Sequence, residues 1–453
     1  MTHRILSTVF AAAILSGVAG CAAESAVAPA LVGPQYAATA DDPATIDALV
    51  AERGAVTVLV EGPADLEGPE AVAAWQAEVL ATIDPDKVQR TYRHLPAVAV
   101  TADRATLDAL NASDRVQRTA LSIARPASAV PTPTKGPARR DFDSWHVKTV
   151  GADLTRKADL RGQGQVIAVI DTGVDLDHPL LKDRVTDGAC FSTEADDSTS
   201  VCPGGVATAY GLDAGTLCDE HGDCIHGTHV AGIAGGTIAR GADIVSIQMF
   251  TYMPDCSALG GPATPCLTYT EDDLLAALDH VLTLAETQPV AAANMSLGGG
   301  IYAEACPENI HATAIAMLRD AGVAPVIASG NNGWSEQVTA PACIEEAITV
   351  GATTDADKVW LWSNDGPQVD ILAPGHDIES ALPDRSMGAL SGTSMATPHV
   401  AGAVAVLKSI DPDLSVDEIE AVLQETGTDV TNFRNGRTTP RLQLDAAAEA
   451  LAE

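Results

Sequence analysis

Positive charge is scarce in this chain: its 453 residues hold 26 Lys and Arg against 61 Asp and Glu, a formal charge of −35. Phosphate backbones are bound by the opposite sign, so nucleic acid is excluded as a partner. Also missing is any apolar run of the ~18–20 residues that a bilayer-spanning helix needs, which excludes an integral membrane protein. No internal repeat is present. Apolar material is plentiful. Hydrophobic residues make up 46%, enough for a sizeable core, so wholesale disorder is excluded, and the length suits two domains plus processing segments. The acidity is uneven. Residues 22–141 carry 11 basic and 16 acidic side chains, whereas residues 142–453 carry 14 and 45. The excess belongs to the C-terminal two-thirds, where it serves solubility and salt tolerance or steers cationic substrates.

Ile5 to Val18 is a short apolar run behind His3 and Arg4, the pattern of a secretory signal and too short to span a membrane. It ends in Val18-Ala19-Gly20-Cys21, which resembles the lipobox of bacterial lipoproteins, where the Cys becomes the lipidated first residue. Residues 1–20 are thus expected to be a signal peptide on an exported bacterial chain, and Cys21 its lipid anchor. Eight further cysteines all lie after residue 141: Cys190, Cys202, Cys218, Cys224, Cys256, Cys266, Cys306 and Cys343. An even number in an exported chain points to four disulfides. Proximity favours 190–202, 218–224, 256–266 and 306–343, out of on the order of a hundred pairings, with exchange between the first two pairs the readiest alternative.

Residues 22–54 begin rich in Ala, Pro and Thr and read as a tether. A small domain follows over 55–123. Val56-Thr57-Val58-Leu59-Val60, Val88–Arg93, Ala97–Thr101 and Val116–Ile123 are strand-like, and helical patterns run from Pro69 to Ile83 and from Asp103 to Asn111. The order β-α-β-β-α-β is that of a ferredoxin-like sandwich. Residues 124–144 have linker composition, with four prolines, a glycine and Arg139-Arg140, and are expected to hold a processing site. Residues 145–453 alternate unbroken apolar strands (Val166–Ile170, Ile244–Met249, Val290–Asn294, Val323–Ala328, Ala347–Val350) with helices at Glu271–Glu286 and 395–409. Such runs suit a mostly parallel, doubly wound α/β sheet covered on both faces. Ser415-Val416-Asp417-Glu418 is a capping box that opens a further helix.

Three segments could carry chemistry. The strand Val166–Ile170 ends in Asp171-Thr172-Gly173, at the carboxyl end where ligands of such sheets bind. His226-Gly227-Thr228-His229-Val230-Ala231-Gly232 has the small residues that let a helix pack on the sheet with an imidazole at its start. Cys218, His221, Cys224, His226 and His229 lie close together and superficially suggest zinc. Their spacing matches no standard finger, and oxidised cysteines are poor ligands. Gly392-Thr393-Ser394-Met395-Ala396-Thr397-Pro398 places a serine at a helix N-terminus, with Pro398 expected in the first turn, so that free N–H groups face any developing negative charge. A serine needs an imidazole to take its proton and a carboxylate to orient that imidazole.

Together the three resemble the subtilisin-like serine proteases, the subtilases, in motif and in the chain order Asp, His, Ser. The resemblance covers roughly residues 145–430 and implies the following roles. Ser394 is the nucleophile, His226 the general base and then acid, and Asp171 its orienting partner. Asn331, in Ser329-Gly330-Asn331, supplies the side-chain donor of an oxyanion hole with the Ser394 N–H. Ser296, Leu297 and Gly298, in Asn294-Met295-Ser296-Leu297-Gly298-Gly299, form the edge that pairs with substrate. His229 and His399 are packing residues. The substrates are proteins or peptides, and no cofactor is required for the chemistry. Calcium commonly stabilises the family, but no ligand set in this sequence matches one. The small domain resembles a subtilase propeptide, which assists folding and inhibits until it is cut. The lipid on Cys21 would then stay with the propeptide while the mature protease becomes extracellular or periplasmic. Two features depart from the family: a long, cysteine-bearing interval between Asp171 and His226, and an extra cysteine pair within 251–270, so subsite preference does not transfer. The alternatives are a catalytically impaired surface or binding protein of the same fold, and a sedolisin-type acid peptidase, against which His226 in its full motif argues.

Overall fold

The apolar runs become the inner strands of a ten-stranded sheet. The computed structural model describes residues 42–127, 136–137, 144–194, 198–218, 224–257 and 265–452. The signal segment, Cys21, residues 22–41 of the tether, His221 and most of the linker lie outside them. From edge to edge the sheet runs Thr208–Tyr210, Val185–Phe191, Asp243–Gln248, Val166–Asp171, Val290–Met295, Ala324–Ala328, Ile348–Thr353, Ile371–Pro374, Thr438–Arg441 and Thr428–Thr431. All neighbours pair in parallel except the outermost strand at each edge. The inner strand Val166–Asp171 is buried at every position because both faces are covered. Ala168, Ile170, Val245 and Ile247 point into one apolar cluster, with the helices Glu271–Ala285 and Ala312–Asp320. Ile167, Val169, Ile244 and Val326 point into the other, with Val230 of His226–Ile233 and Val400 and Val404 of Thr393–Ile410.

The small domain has the elements Ala55–Glu61, Gly68–Leu80, Val88–Thr91, Ala97–Asp103, Arg104–Asn111 and Arg118–Leu121. Its antiparallel strands are ordered 88–91, 97–103, 55–61, 118–121. One face of this sheet packs on its own helices through Val58, Val60, Val98 and Val100. From the other face, Leu59, Ala97 and Ala99 join the same cluster as Leu274, Leu275 and Leu278. The small sheet is therefore seated on the helix Glu271–Ala285.

The tether is shorter than its composition suggests. Pro43–Arg53 is a helix that buries Ile46 and Val50, with Asp42 capping the Ala44 N–H and Pro43 in the first turn. The start signal is legible, but the Ala-rich stretch dilutes the apolar periodicity behind it. Two short pieces of the linker lie among the described residues. Ala124–Pro126 pairs antiparallel with Cys266–Thr270, and Gly136–Pro137 with Ser386 and Met387. All four disulfides join the neighbours in sequence: 190–202, 218–224, 256–266 and 306–343, with Cα separations of 5.6, 5.5, 6.2 and 5.4 Å. The cystine Cys218–Cys224 takes both sulfurs from the zinc alternative. Among the described residues no helix is long and apolar enough to cross a membrane.

Candidate active site

Asp171 ends its strand with a side chain only 2% exposed, and both its oxygens face His226 Nδ1, at 2.8 and 2.9 Å. The contact depends on two close backbone approaches. Gly173 turns with φ +83°, and a Cβ there would meet the Thr216 carbonyl oxygen at 2.2 Å. A Cβ on Gly227 would meet the Gly173 carbonyl oxygen at 2.3 Å. Glycine at both lets the helix His226–Ile233 start against the strand end, and Thr172 Oγ1 fixes the join by accepting from the Gly227 N–H at 2.9 Å. Burial disfavours the imidazolium, but the Asp171 charge and hydrogen bond outweigh it, so the His226 pKa stands above its ordinary value.

Ser394 is the second residue of the helix Thr393–Ile410. Its hydroxyl donates to the Ser296 carbonyl at 3.2 Å and forms no hydrogen bond with His226. The structure thus brings Asp and His into contact, and holds Ser against the end of the neighbouring strand instead. Pro398 sits deeper in the helix than expected, because the helix already begins at Thr393. A proline there has no N–H for the Ser394 carbonyl four residues earlier. The Ser296 hydroxyl donates to that carbonyl instead, at 2.9 Å. Ser296 and Ser394 therefore each donate to the other's carbonyl, which ties the start of the helix Thr393–Ile410 to the residue after Val290–Met295.

Asn331 Oδ1 accepts from the Thr393 N–H at 2.8 Å and from Thr393 Oγ1 at 3.0 Å. With its oxygen so occupied, the amide is oriented by the first helical residue and its NH₂ is left to donate elsewhere. Leu297 is buried, and a Cβ on Gly298 would meet Thr339 Oγ1 at 2.4 Å, so the 296–298 turn is pressed against the strand Val338–Ala340. His229 Nε2 contacts the Gly388 carbonyl, while His399 bridges the Met395 carbonyl and His146; burial lowers the pKa of both, to about 3 and about 4. Neither turns toward His226 and Ser394 by a hydrogen bond. Among the described residues no group of three or more His, Cys, Asp or Glu side chains is placed to hold a metal ion.

A buried acid and sheet motifs in this order invite comparison with known proteins. The model of the subtilase family matches residues 162–441. The chain belongs to that family. It is 32% identical over 316 residues to the extracellular serine proteinase of Thermus sp. (strain Rt41A), covering 68% of this chain and 66% of that protein. It is 32% identical over 285 residues to the alkaline serine exoprotease A of Vibrio alginolyticus, covering 62% and 45%. Against the major intracellular serine protease of Bacillus subtilis (strain 168) it is 32% identical over 286 residues, covering 61% and 80%. The chain thus spans less than two thirds of the length of the first two of these relatives.

The sequence singles out 296–298 and the cysteine-bearing stretch 251–270, but not the strand Cys266–Thr270 inside it. The strand Cys266–Thr270 carries Ala124–Pro126 in register, Tyr269 opposite Arg125, and the Ala127 N–H donates to the Leu267 carbonyl at 2.8 Å. Leu267-Thr268-Tyr269-Thr270 is a β-branched and aromatic run just before a helix, which is the signal that could have found it.

Proposed function

We propose that this subtilase is an exported serine endopeptidase made as a self-processing zymogen. The observation that carries the proposal is the buried Asp171–His226 pair at the end of one strand, with a serine at a helix N-terminus tied through Ser296 to the end of the neighbouring strand. A rotation about the Ser394 side chain moves its hydroxyl from the Ser296 carbonyl to His226 Nε2. His226 then takes the proton as Oγ attacks the substrate carbonyl, and Asp171 stabilises the imidazolium. The Asn331 amide and the Ser394 N–H hold the oxyanion. As the tetrahedral species collapses, the peptide C–N bond breaks and His226 returns the proton to the leaving amine. Water then repeats the sequence on the acyl-enzyme and frees Ser394. The edge Ser296-Leu297-Gly298 positions the substrate main chain on one side and Cys266–Thr270 on the other.

The small domain is proposed to be the intramolecular inhibitor. Support comes from its ferredoxin-like strand order and from the segment that follows it, Ala124–Pro126, which pairs with Cys266–Thr270 as a substrate strand would. Cleavage beyond residue 127 would leave any acyl chains on Cys21 with the small domain and release the protease. One observation favours a second reading, a catalytically impaired binding protein: Ser394 bonds to Ser296 rather than to His226. Expression of wild type beside Ser394→Ala separates the two. Loss of both peptide hydrolysis and self-cleavage in Ser394→Ala is expected. Equal processing of the two purified proteins would refute self-processing, and an inert wild type would favour the binding protein.

A further inference from the structure

The guanidinium of Arg125 is buried in the catalytic domain, where its partner of opposite charge among the described residues is Glu271. Its Nε donates to Glu271 Oε1, and the two side chains are 11% and 5% exposed. Glu271 is the first residue of the helix Glu271–Ala285, so the backbone fixes its position, and His311 Nε2 stands 3.2 Å from its other oxygen. Burial lowers the pKa of His311 against the pull of Glu271, so with the small domain in place Arg125 rather than this ring supplies the cation. The opposite wall is Gly299, where a Cβ would lie 3.0 Å from both Cδ and Nη1 of Arg125. Tyr269 forms the strand position opposite Arg125. Gly299 is three residues beyond Ser296, whose carbonyl accepts from Ser394. The slot therefore lies within a few residues of the nucleophile along the same edge.

On the proposed zymogen reading, Arg125 leaves with the small domain and the Glu271 carboxylate is left in a slot shaped for a guanidinium. A buried carboxylate without its partner is costly, and a substrate that restores the partner recovers that cost in binding. We propose that Glu271 is a specificity-determining residue that makes this subtilase select peptides with arginine at the position Arg125 occupies, on the acyl side of the cleaved bond. Gly299 admits the long side chain, and Glu271 recognises its charge.

The test uses protease recovered from expression of the full chain, with peptides of one sequence in which arginine is scanned through the acyl-side positions. At the responsive position arginine is replaced by citrulline, which keeps the shape without the charge, or by alanine. A single position is expected to favour arginine over citrulline by about 30-fold or more in kcat/KM. In Glu271→Gln the arginine and citrulline peptides are expected to be cut within about threefold of each other. Hydrolysis that Ser394→Ala abolishes but that treats arginine, citrulline and alanine alike overturns the slot and leaves the protease reading standing. An arginine preference that survives in Glu271→Gln also overturns it. Absence of hydrolysis of every peptide overturns both. If Glu271→Gln fails to fold, the wild-type comparison of arginine with citrulline still decides the matter.

Discussion

At the scale of single residues, the His226 pKa is held above its ordinary value by Asp171, against the effect of burial. In the proposed mechanism His226 acts as a neutral base, so kcat/KM is expected to rise as pH passes upward through that raised pKa, with an acid limb above the ordinary histidine range. In Asp171→Asn the limb is expected to move to lower pH as the rate falls; pH–rate profiles of the two enzymes check this. A limb in the acid range for wild type would point instead to an acid peptidase. Asp370 makes a second case. Burial, and then the charge of Glu420, push its carboxyl up to about 7, although the Thr349 N–H donates to it at 2.7 Å. The native state then holds a proton that the unfolded chain has already released near pH ~4. Stability must therefore fall as pH rises from ~4 to about 7. Asp370→Asn keeps an acceptor for Thr349 and removes the titration. In the inactive Ser394→Ala background it is expected to stabilise by on the order of 2 kcal/mol at pH 8 and by little at pH 4, as read by urea unfolding. The sequence makes Asp171, His226 and Ser394 legible because each sits in a motif whose neighbours are small or turn-forming for a steric reason. Glu271 is illegible because its partner is 146 residues away in the chain.

Between elements, the reciprocal Ser296–Ser394 hydrogen bonds answer a defect that Pro398 creates inside the helix. Ser296→Ala strips the Ser394 carbonyl of its donor and is expected to cost about 1–3 kcal/mol. Pro398→Ala supplies the missing N–H, so the Ser296→Ala penalty should shrink by more than half in that background. A double-mutant cycle measures the coupling. Additive losses would show that the proline and the serine are unrelated. The central strands read well from sequence because a strand covered on both faces is an unbroken apolar run, as Val166–Asp171 is. The strand Cys266–Thr270 pairs with three residues on each side, Thr251–Met253 and Ala124–Pro126, and strands so short leave a weak pattern. The helix Pro43–Arg53 is hidden for a related reason: of its residues only Ile46 and Val50 are buried, too few to mark a period.

For the whole molecule, the small domain is held to the helix Glu271–Ala285 by more than apolar contact. Arg90 lies 3.2 Å from both Asp272 and Asp273, and Tyr92 donates its hydroxyl to Asp272. The Arg93 and His94 N–H groups both donate to the Asp279 carboxylate, at 2.9 and 2.7 Å. Arg90→Met leaves the two buried carboxylates without their cation. After self-cleavage the fragment is expected to dissociate about 30-fold more readily than from wild type, measured by its retention on gel filtration. Unchanged retention would show that the apolar face alone holds the domain. On the proposed zymogen reading, departure of the small domain would also bare three consecutive carboxylates, Glu271, Asp272 and Asp273, in the first turn of one helix. Their combined field would draw cationic peptides toward the groove from beyond contact range. The encounter rate of such peptides, unlike that of neutral ones, should then drop as added salt shortens the reach of that field to a few ångströms.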